Sequence, residues 1–164
     1  MTLPEQERER FCQVLHHSRT SLYRLAFSIT RNSSDAQEAV AEAVCRAYER
    51  YPQLREKEKL PRWLLKITAN EARRLCQRRG RTVSWDDLPT EPAIPGRGTG
   101  DDTLWQAVQT LPRDQREAVV LFYYEDLPTE EIARIVGTSP GAVRVRLSRA
   151  REKLRSILKE GDYG

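Results

Sequence analysis

Between Ser139 and Lys159 seven cations (Arg144, Arg146, Arg149, Arg151, Lys153, Arg155 and Lys159) stand against one acid, Glu152, an excess of six positive charges. A guanidinium offers a fork of donors that fits a guanine edge or a phosphate, and a helix is about as wide as the major groove of DNA admits. The chemistry these residues suit is therefore non-covalent reading of a polyanion; a solvated basic face on an amphipathic helix is the plainer alternative. A second cluster lies between residues 60 and 80, where Arg62, Lys66, Arg73, Arg74, Arg78 and Arg79 face only Glu71, with Trp63 and Asn70 among them. Cations interleaved with an aromatic ring suit single-stranded nucleic acid, whose bases stack on rings while the backbone follows the charge. Trp63 taken alone fits a hydrophobic core equally well.

Covalent chemistry has no comparable footing. His16 and His17 are adjacent on a helical stretch and point in different directions, and no nucleophile–base pair or metal-ligand cluster is visible. Cys12, Cys45 and Cys76 are odd in number and form no C-x-x-C pair, so buried, reduced thiols are expected. The expectation is a protein that is not an enzyme and uses no cofactor or metal.

The basic residues at 139–159 need a platform, and the chain supplies one. Thr129 reads as an N-cap followed by Glu130 and Glu131, whose charges suit the positive end of a helix dipole. Ile132, Ile135 and Val136 follow at helical spacing, and Gly137 ends the helix with a residue tolerant of positive φ. Ser139 then caps a second helix with Pro140 at its first position. Val143, Leu147, Ala150, Leu154 and Leu158 form the inward stripe of that helix, leaving the arginines outside. Two helices, a tight turn and a basic second helix make a helix-turn-helix.

Earlier in the chain, Phe11, Val14, Leu15, Leu22, Leu25, Ala26 and Ile29 recur at helical spacing between about Glu5 and Arg31, which predicts one or two helices. The next helix opens at Ser33-Ser34-Asp35 and stops before Pro52. Val40, Ala43, Val44, Ala47 and Tyr48 are its inner residues, which leaves Asp35, Glu38, Glu42, Arg46 and Glu49 for solvent or a protein partner. A charged loop, residues 53–59, leads to a helix from Leu60-Pro61 to Arg79. Gly80 to Asp102, rich in Pro, Gly and acids, reads as a flexible linker whose 23 residues span at most about 75 Å. Leu104, Val108 and Leu111 line a further helix before Pro112, and another runs to Tyr124 with Val119, Leu121 and Phe122 for packing.

The predicted fold class is all-α: two small helical domains, residues 1–80 and 103–164, joined by a flexible acidic linker at 81–102, the second domain ending in the helix-turn-helix. Residues 1–80 carry 16 basic and 10 acidic side chains, 81–103 carry 2 and 5, and 104–164 carry 10 and 9, within a net charge of +4. Two modules that bind one polyanion at separated points are the natural expectation. No apolar run approaches the roughly 18 residues needed to cross a membrane, and the N-terminal MTLPEQERER lacks the apolar centre of a signal peptide, so the chain is read as cytoplasmic, with no membrane insertion.

Three collinear segments carry a family resemblance. LPRDQREAVVLFYYEDLPTEEIARIVGTSPGAVRVRLSRAREKL resembles region 4, the C-terminal DNA-binding domain of bacterial sigma factors of the extracytoplasmic-function (ECF) group; SDAQEAVAEAVCRAYERY resembles their region 2.2; and LPRWLLKITANEARRLCQRR resembles the W-L-x-x-I-x-x-N helix of regions 2.3 and 2.4. The resemblance covers about residues 9–160, in the family's order. It implies a dissociable subunit that gives core RNA polymerase its promoter specificity and has no catalytic activity of its own. In the family, region 2.2 docks on the clamp helices of the beta-prime subunit, which carries over to Asp35, Glu38, Glu42 and Arg46; Ala41 and Val44 stand where relatives usually have Gln and Phe. The helix 60–79 would face the minus 10 promoter element with Arg62, Trp63, Lys66, Asn70, Arg73 and Arg74, Asn70 and the preceding loop receiving a base flipped from the stack. Arg144, Val145, Arg146, Ser148 and Arg149 would read the minus 35 element, with Ser139 at a phosphate. An anti-sigma protein is expected by the same analogy. The rival reading is a stand-alone helix-turn-helix regulator that never enters polymerase, for which residues 33–52 and 60–79 would have no use.

Overall fold

A computed structural model describes residues 3–79 and 102–163. Every regular element among the described residues is helical, and the chain divides into two compact units, one in each half. The expected linker at 81–102 lies almost wholly outside the described residues.

Among the described residues the N-terminal unit has three α-helices, α1 (Glu5–Thr30), α2 (Ser33–Arg50) and α3 (Leu60–Arg79), each packed on the other two. The stretch 5–30 is one helix, not two. It ends where Arg31 turns left-handed at φ 54° and donates its N–H to the Phe27 carbonyl at 2.7 Å. The cap of α2 is Asn32, not the serines: its backbone is extended and its side-chain oxygen accepts the Asp35 N–H at 2.9 Å. Three adjacent residues could cap; the left-handed Arg31 decides, because it places Asn32 at the point where the chain enters the helix.

The buried line of α2 is Ala36, Ala39, Ala43 and Ala47, while Val40, Val44 and Tyr48 are half-buried on its flank. Small residues let α2 come close to Leu22, Leu25 and Ile29 of α1 and to Leu60, Leu64 and Ala72 of α3, all buried. Phe11 closes one end, its ring 5.3 Å from those of both Tyr48 and Tyr51 in edge contacts. The thiols do not behave alike. Cys76 is buried and directed at the Ile29 carbonyl, but Cys12 and Cys45 are exposed, contrary to the expectation for a buried set.

Among the described residues the C-terminal unit has four α-helices: α4 (Asp102–Gln109), α5 (Arg113–Val119), α6 (Thr129–Val136) and α7 (Pro140–Tyr163). The expected helix to Tyr124 is continuous, but over Val120–Tyr124 it widens to π geometry, closing with Glu125 N–H on the Val120 carbonyl at 3.2 Å. In α4 the buried large residue is Trp105, edge-on to Tyr124 at 5.6 Å, whereas Leu104 is exposed rather than on the inner line. Arg116 is buried and donates to the Leu111 carbonyl at 2.8 Å, satisfying a carbonyl at the end of α4.

Candidate nucleic-acid interface

The turn between α6 and α7 sets the interface. Gly137 is left-handed at φ 77°, and the N–H groups of Gly137 and Thr138 both close on the Ala133 carbonyl, at 2.8 and 3.0 Å. Ser139 caps α7 as the sequence indicates, its hydroxyl accepting the Ala142 N–H at 3.1 Å. Thr129 does not cap α6. The cap position belongs to Pro128, whose carbonyl accepts from Glu131 and Ile132 at 3.0 Å each, and Thr129 is already helical.

Along α7, Val143, Leu147, Ala150 and Leu154 are buried and Leu158 is half-buried. At 100° per residue Val145, Ser148 and Arg149 point away from this stripe and Arg144 lies to one side of it, all four exposed; Arg146 lies to the other side and is half-buried. Val145 is 48% exposed, an apolar side chain left in water at the centre of a basic face. Arg151 lies on the same side as Arg144. Its Nε donates to the Tyr123 hydroxyl at 2.6 Å, and its guanidinium sits 5.8 Å from the rings of Phe122 and Tyr123. On α6, Glu131 pairs with Arg134 at 2.7 Å.

On α3, Arg62, Lys66, Asn70 and Arg73 follow at steps of four, four and three and so share one face; the first three are exposed and Arg73 is half-buried. Arg73 Nη1 donates to Asn70 Oδ1 at 3.5 Å, and Trp63, half-buried, borders the same face. Of the remaining cations of α3, Arg78 and Arg79 reach acids of α2, and Arg74 pairs within its own helix. Glu71, buried, stands 2.8 Å from Arg46 Nε and 3.2 Å from Arg74 Nη1. Arg79 Nε is 3.3 Å from Asp35 Oδ1, and Arg78 and Arg79 each lie 3.9 Å from a Glu38 oxygen.

This network corrects the expected outer face of α2. Asp35 is only 3% exposed, so it is a partner of Arg79 rather than a solvent-facing residue, and Arg46 is engaged by Glu71. Burial pushes the Asp35 carboxyl above its ordinary value; Arg79 works against this and Glu38 with it. Glu38, Ala41, Glu42, Cys45 and Glu49 remain exposed. The pairs between α2 and α3 and the Arg151–Tyr123 bond escape sequence reading because each joins residues far apart in the chain, and charge spacing reports only neighbours on the same helix.

Among the described residues no group of three His, Cys, Asp or Glu side chains is gathered as a metal-ligand set, and no helix is long and apolar enough to cross a membrane. His16 and His17 are exposed with their rings nearly perpendicular, at 85°.

Comparison with known proteins places this arrangement. The family model for sigma-70 region 2 matches residues 14–82, and that for sigma-70 region 4 matches residues 101–154. The chain is 32% identical over 142 residues to RNA polymerase sigma factor SigV of Bacillus subtilis, covering 85% of this chain and 86% of SigV. It is likewise 32% identical over 143 residues to ECF RNA polymerase sigma factor EcfG of Rhodopseudomonas palustris, covering 84% and 79%. The chain belongs to the ECF group of RNA polymerase sigma factors. Among solved structures, the sigma factor RpoE of Bartonella quintana, in complex with the anti-sigma factor NepR, matches with a TM-score of 0.77 and 26% identity over 95% of this sigma factor and 98% of RpoE. Region 2 thus takes in α2, α3 and most of α1, and region 4 takes in α4 to α6 and α7 as far as Leu154.

Proposed function

We propose that this ECF sigma factor binds core RNA polymerase through region 2, opens and holds the minus 10 element on α3, and reads the minus 35 element with α7. The observation that carries this reading is the outward basic row of α7, held at a fixed angle by the Gly137 turn and the Ser139 cap. Arg144 and Arg149 suit base edges, Val145 suits a thymine methyl, Ser148 suits either partner, and Arg146, from its flank, suits a phosphate. Ser139, already capping, would add the start of α7 as a phosphate site. On α3, Arg62, Lys66, Arg73 and Arg74 would hold phosphates of the opened strand, with Trp63 bordering the bases. Asn70 offers both a donor and an acceptor to a base that has left the stack.

For the polymerase clamp helices, Glu38 and Glu42 are exposed acids one turn apart on α2, while Asp35 and Arg46 would act by shaping that face through Arg79 and Glu71. The domains are accordingly region 2 over residues 1–80 and region 4 over 103–164. We place the protein in the cytoplasm, with no catalytic activity, cofactor or metal, so that strand opening draws on binding energy and on polymerase. RpoE of Bartonella quintana is held by an anti-sigma factor, and an inhibitory protein of that kind is proposed here too.

Capture by purified core polymerase tests the α2 assignment and separates this reading from a stand-alone regulator. The native chain is expected to be retained, and the double reversal Glu38→Lys, Glu42→Lys to lose retention with its helical content intact. Equal retention of both would contradict the assignment, and retention of neither would favour the regulator.

A further inference from the structure

The loop at residues 52–59 is exposed over most of its length: Pro52, Gln53, Arg55, Glu56, Glu58 and Lys59 are open to solvent. Both neighbours of the loop are fixed, since Tyr51 and Leu60 are fully buried. A charged loop of this kind is held mainly by its ends and samples many shapes between them. Lys57 is the exception. Its side chain turns inward, Nζ lying 2.6 Å from the Tyr51 carbonyl and 4.1 Å from the centre of the Tyr51 ring. The same carbonyl accepts the Leu54 N–H at 3.0 Å, so one oxygen at the end of α2 gathers both the start and the middle of the loop. Beyond Lys57, the Lys59 N–H closes on the Glu56 carbonyl at 3.0 Å and their side chains pair at 2.7 Å, which completes a single 3-10 turn running into α3.

We propose that Lys57 is a positioning residue for reading the minus 10 element: it holds the loop in one shape, so that the loop and Asn70 receive a base without first having to order the chain. The inference rests on the assignment of α3 and this loop to that element. A loop competent only part of the time weakens base-specific binding by the fraction of time it is competent. A mismatched base gains nothing from the loop and so loses nothing when the loop loosens. Removing the clamp should therefore lower output from matched promoters alone, and discrimination with it.

The test is run-off transcription by the reconstituted holoenzyme on promoters that share a minus 35 element and differ by single minus 10 bases. Lys57→Met keeps most of the side-chain length and removes the charge and the donor. It is expected to cut output from matched promoters about fivefold, leave mismatched ones unchanged, and so reduce the ratio about fivefold. Lys57→Arg, which keeps a donor and a cation to place over the ring, is expected to restore the ratio. Equal loss on matched and mismatched promoters, the signature of a phosphate contact or a weakened fold, overturns the proposal, as does an unchanged ratio. Asn70→Ala separates the two levels. If it flattens the ratio while Lys57→Met does not, the role of Lys57 fails and the minus 10 assignment stands; if neither changes the ratio, the assignment fails and takes the inference with it.

Discussion

Arginines on α7 differ in what surrounds them, and the difference should show in binding. Arg144 and Arg149 are exposed within the first three turns of the helix, whereas Lys153, also exposed, lies further along it from the Ser139 cap. Arg144→Ala and Arg149→Ala should each cost about 1–3 kcal/mol on a matched minus 35 element and little on a scrambled one. Lys153→Ala should weaken both alike. Anisotropy titrations of the polymerase-bound protein with the two duplexes measure this, and equal losses for all three variants would defeat the assignment. At the N-terminal unit the informative residue is Asp35. Its raised pKa means that the native state holds the carboxyl proton more tightly than the unfolded chain, so folding stability falls as pH rises from the ordinary 3.8 through the native value. Asp35→Asn has no such proton, and its stability curve, from urea midpoints across that range, should lack the decline. A steeper decline in the variant would reverse the sign of the argument. Which arginines face outward on α7 was legible from 3.6-residue periodicity alone. That Arg46 and Arg79 are committed to Glu71 and Asp35 was not, because those pairs exist only once α2 and α3 are packed.

Helix boundaries in this chain follow backbone geometry more closely than residue type. Gly137, Ser139 and Pro140 were readable because each meets a steric demand that few residues meet. Thr129 and the serines at 33 and 34 misled, since a capping residue type does not fix where a helix begins; the path of the chain, through Pro128 and Arg31, does. The π-widened turn at Val120–Tyr124 left no mark on the sequence, yet it accompanies an exposed Tyr123 bonded to Arg151 and a half-buried Tyr124 against Trp105. The α6–α7 turn yields a clean stability prediction. A Cβ at Gly137 would meet nothing within 4 Å, so the cost of Gly137→Ala is purely that of a left-handed alanine, about 1–2 kcal/mol. Gly141, whose nearest neighbours to such a Cβ are 3.9 Å away and whose φ is not positive, should accept alanine with a gain of about 0.4–1 kcal/mol. Denaturant midpoints of the two variants on opposite sides of the native value would bear this out; a shift of the same sign in both would not.

For the whole molecule, fold class and family membership were the most legible features, since three segments in the right order carry more information than any one motif. The uneven charge fits the proposal, since basic residues dominate the first unit and the last helix, where the proposed contacts to one promoter lie. What sequence could not supply was the division of labour within region 2, where ion pairs join Arg78 and Arg79, two of the six cations of α3, to α2. The central claim, that this chain confers start-site selection on polymerase, is tested most directly by run-off transcription with purified core enzyme on a library of genomic fragments. With the chain present, discrete start sites absent from core enzyme alone should appear, and they should be lost when Arg144 and Arg149 are both replaced by alanine. If active core enzyme gives the same transcripts with and without the chain, the account is contradicted.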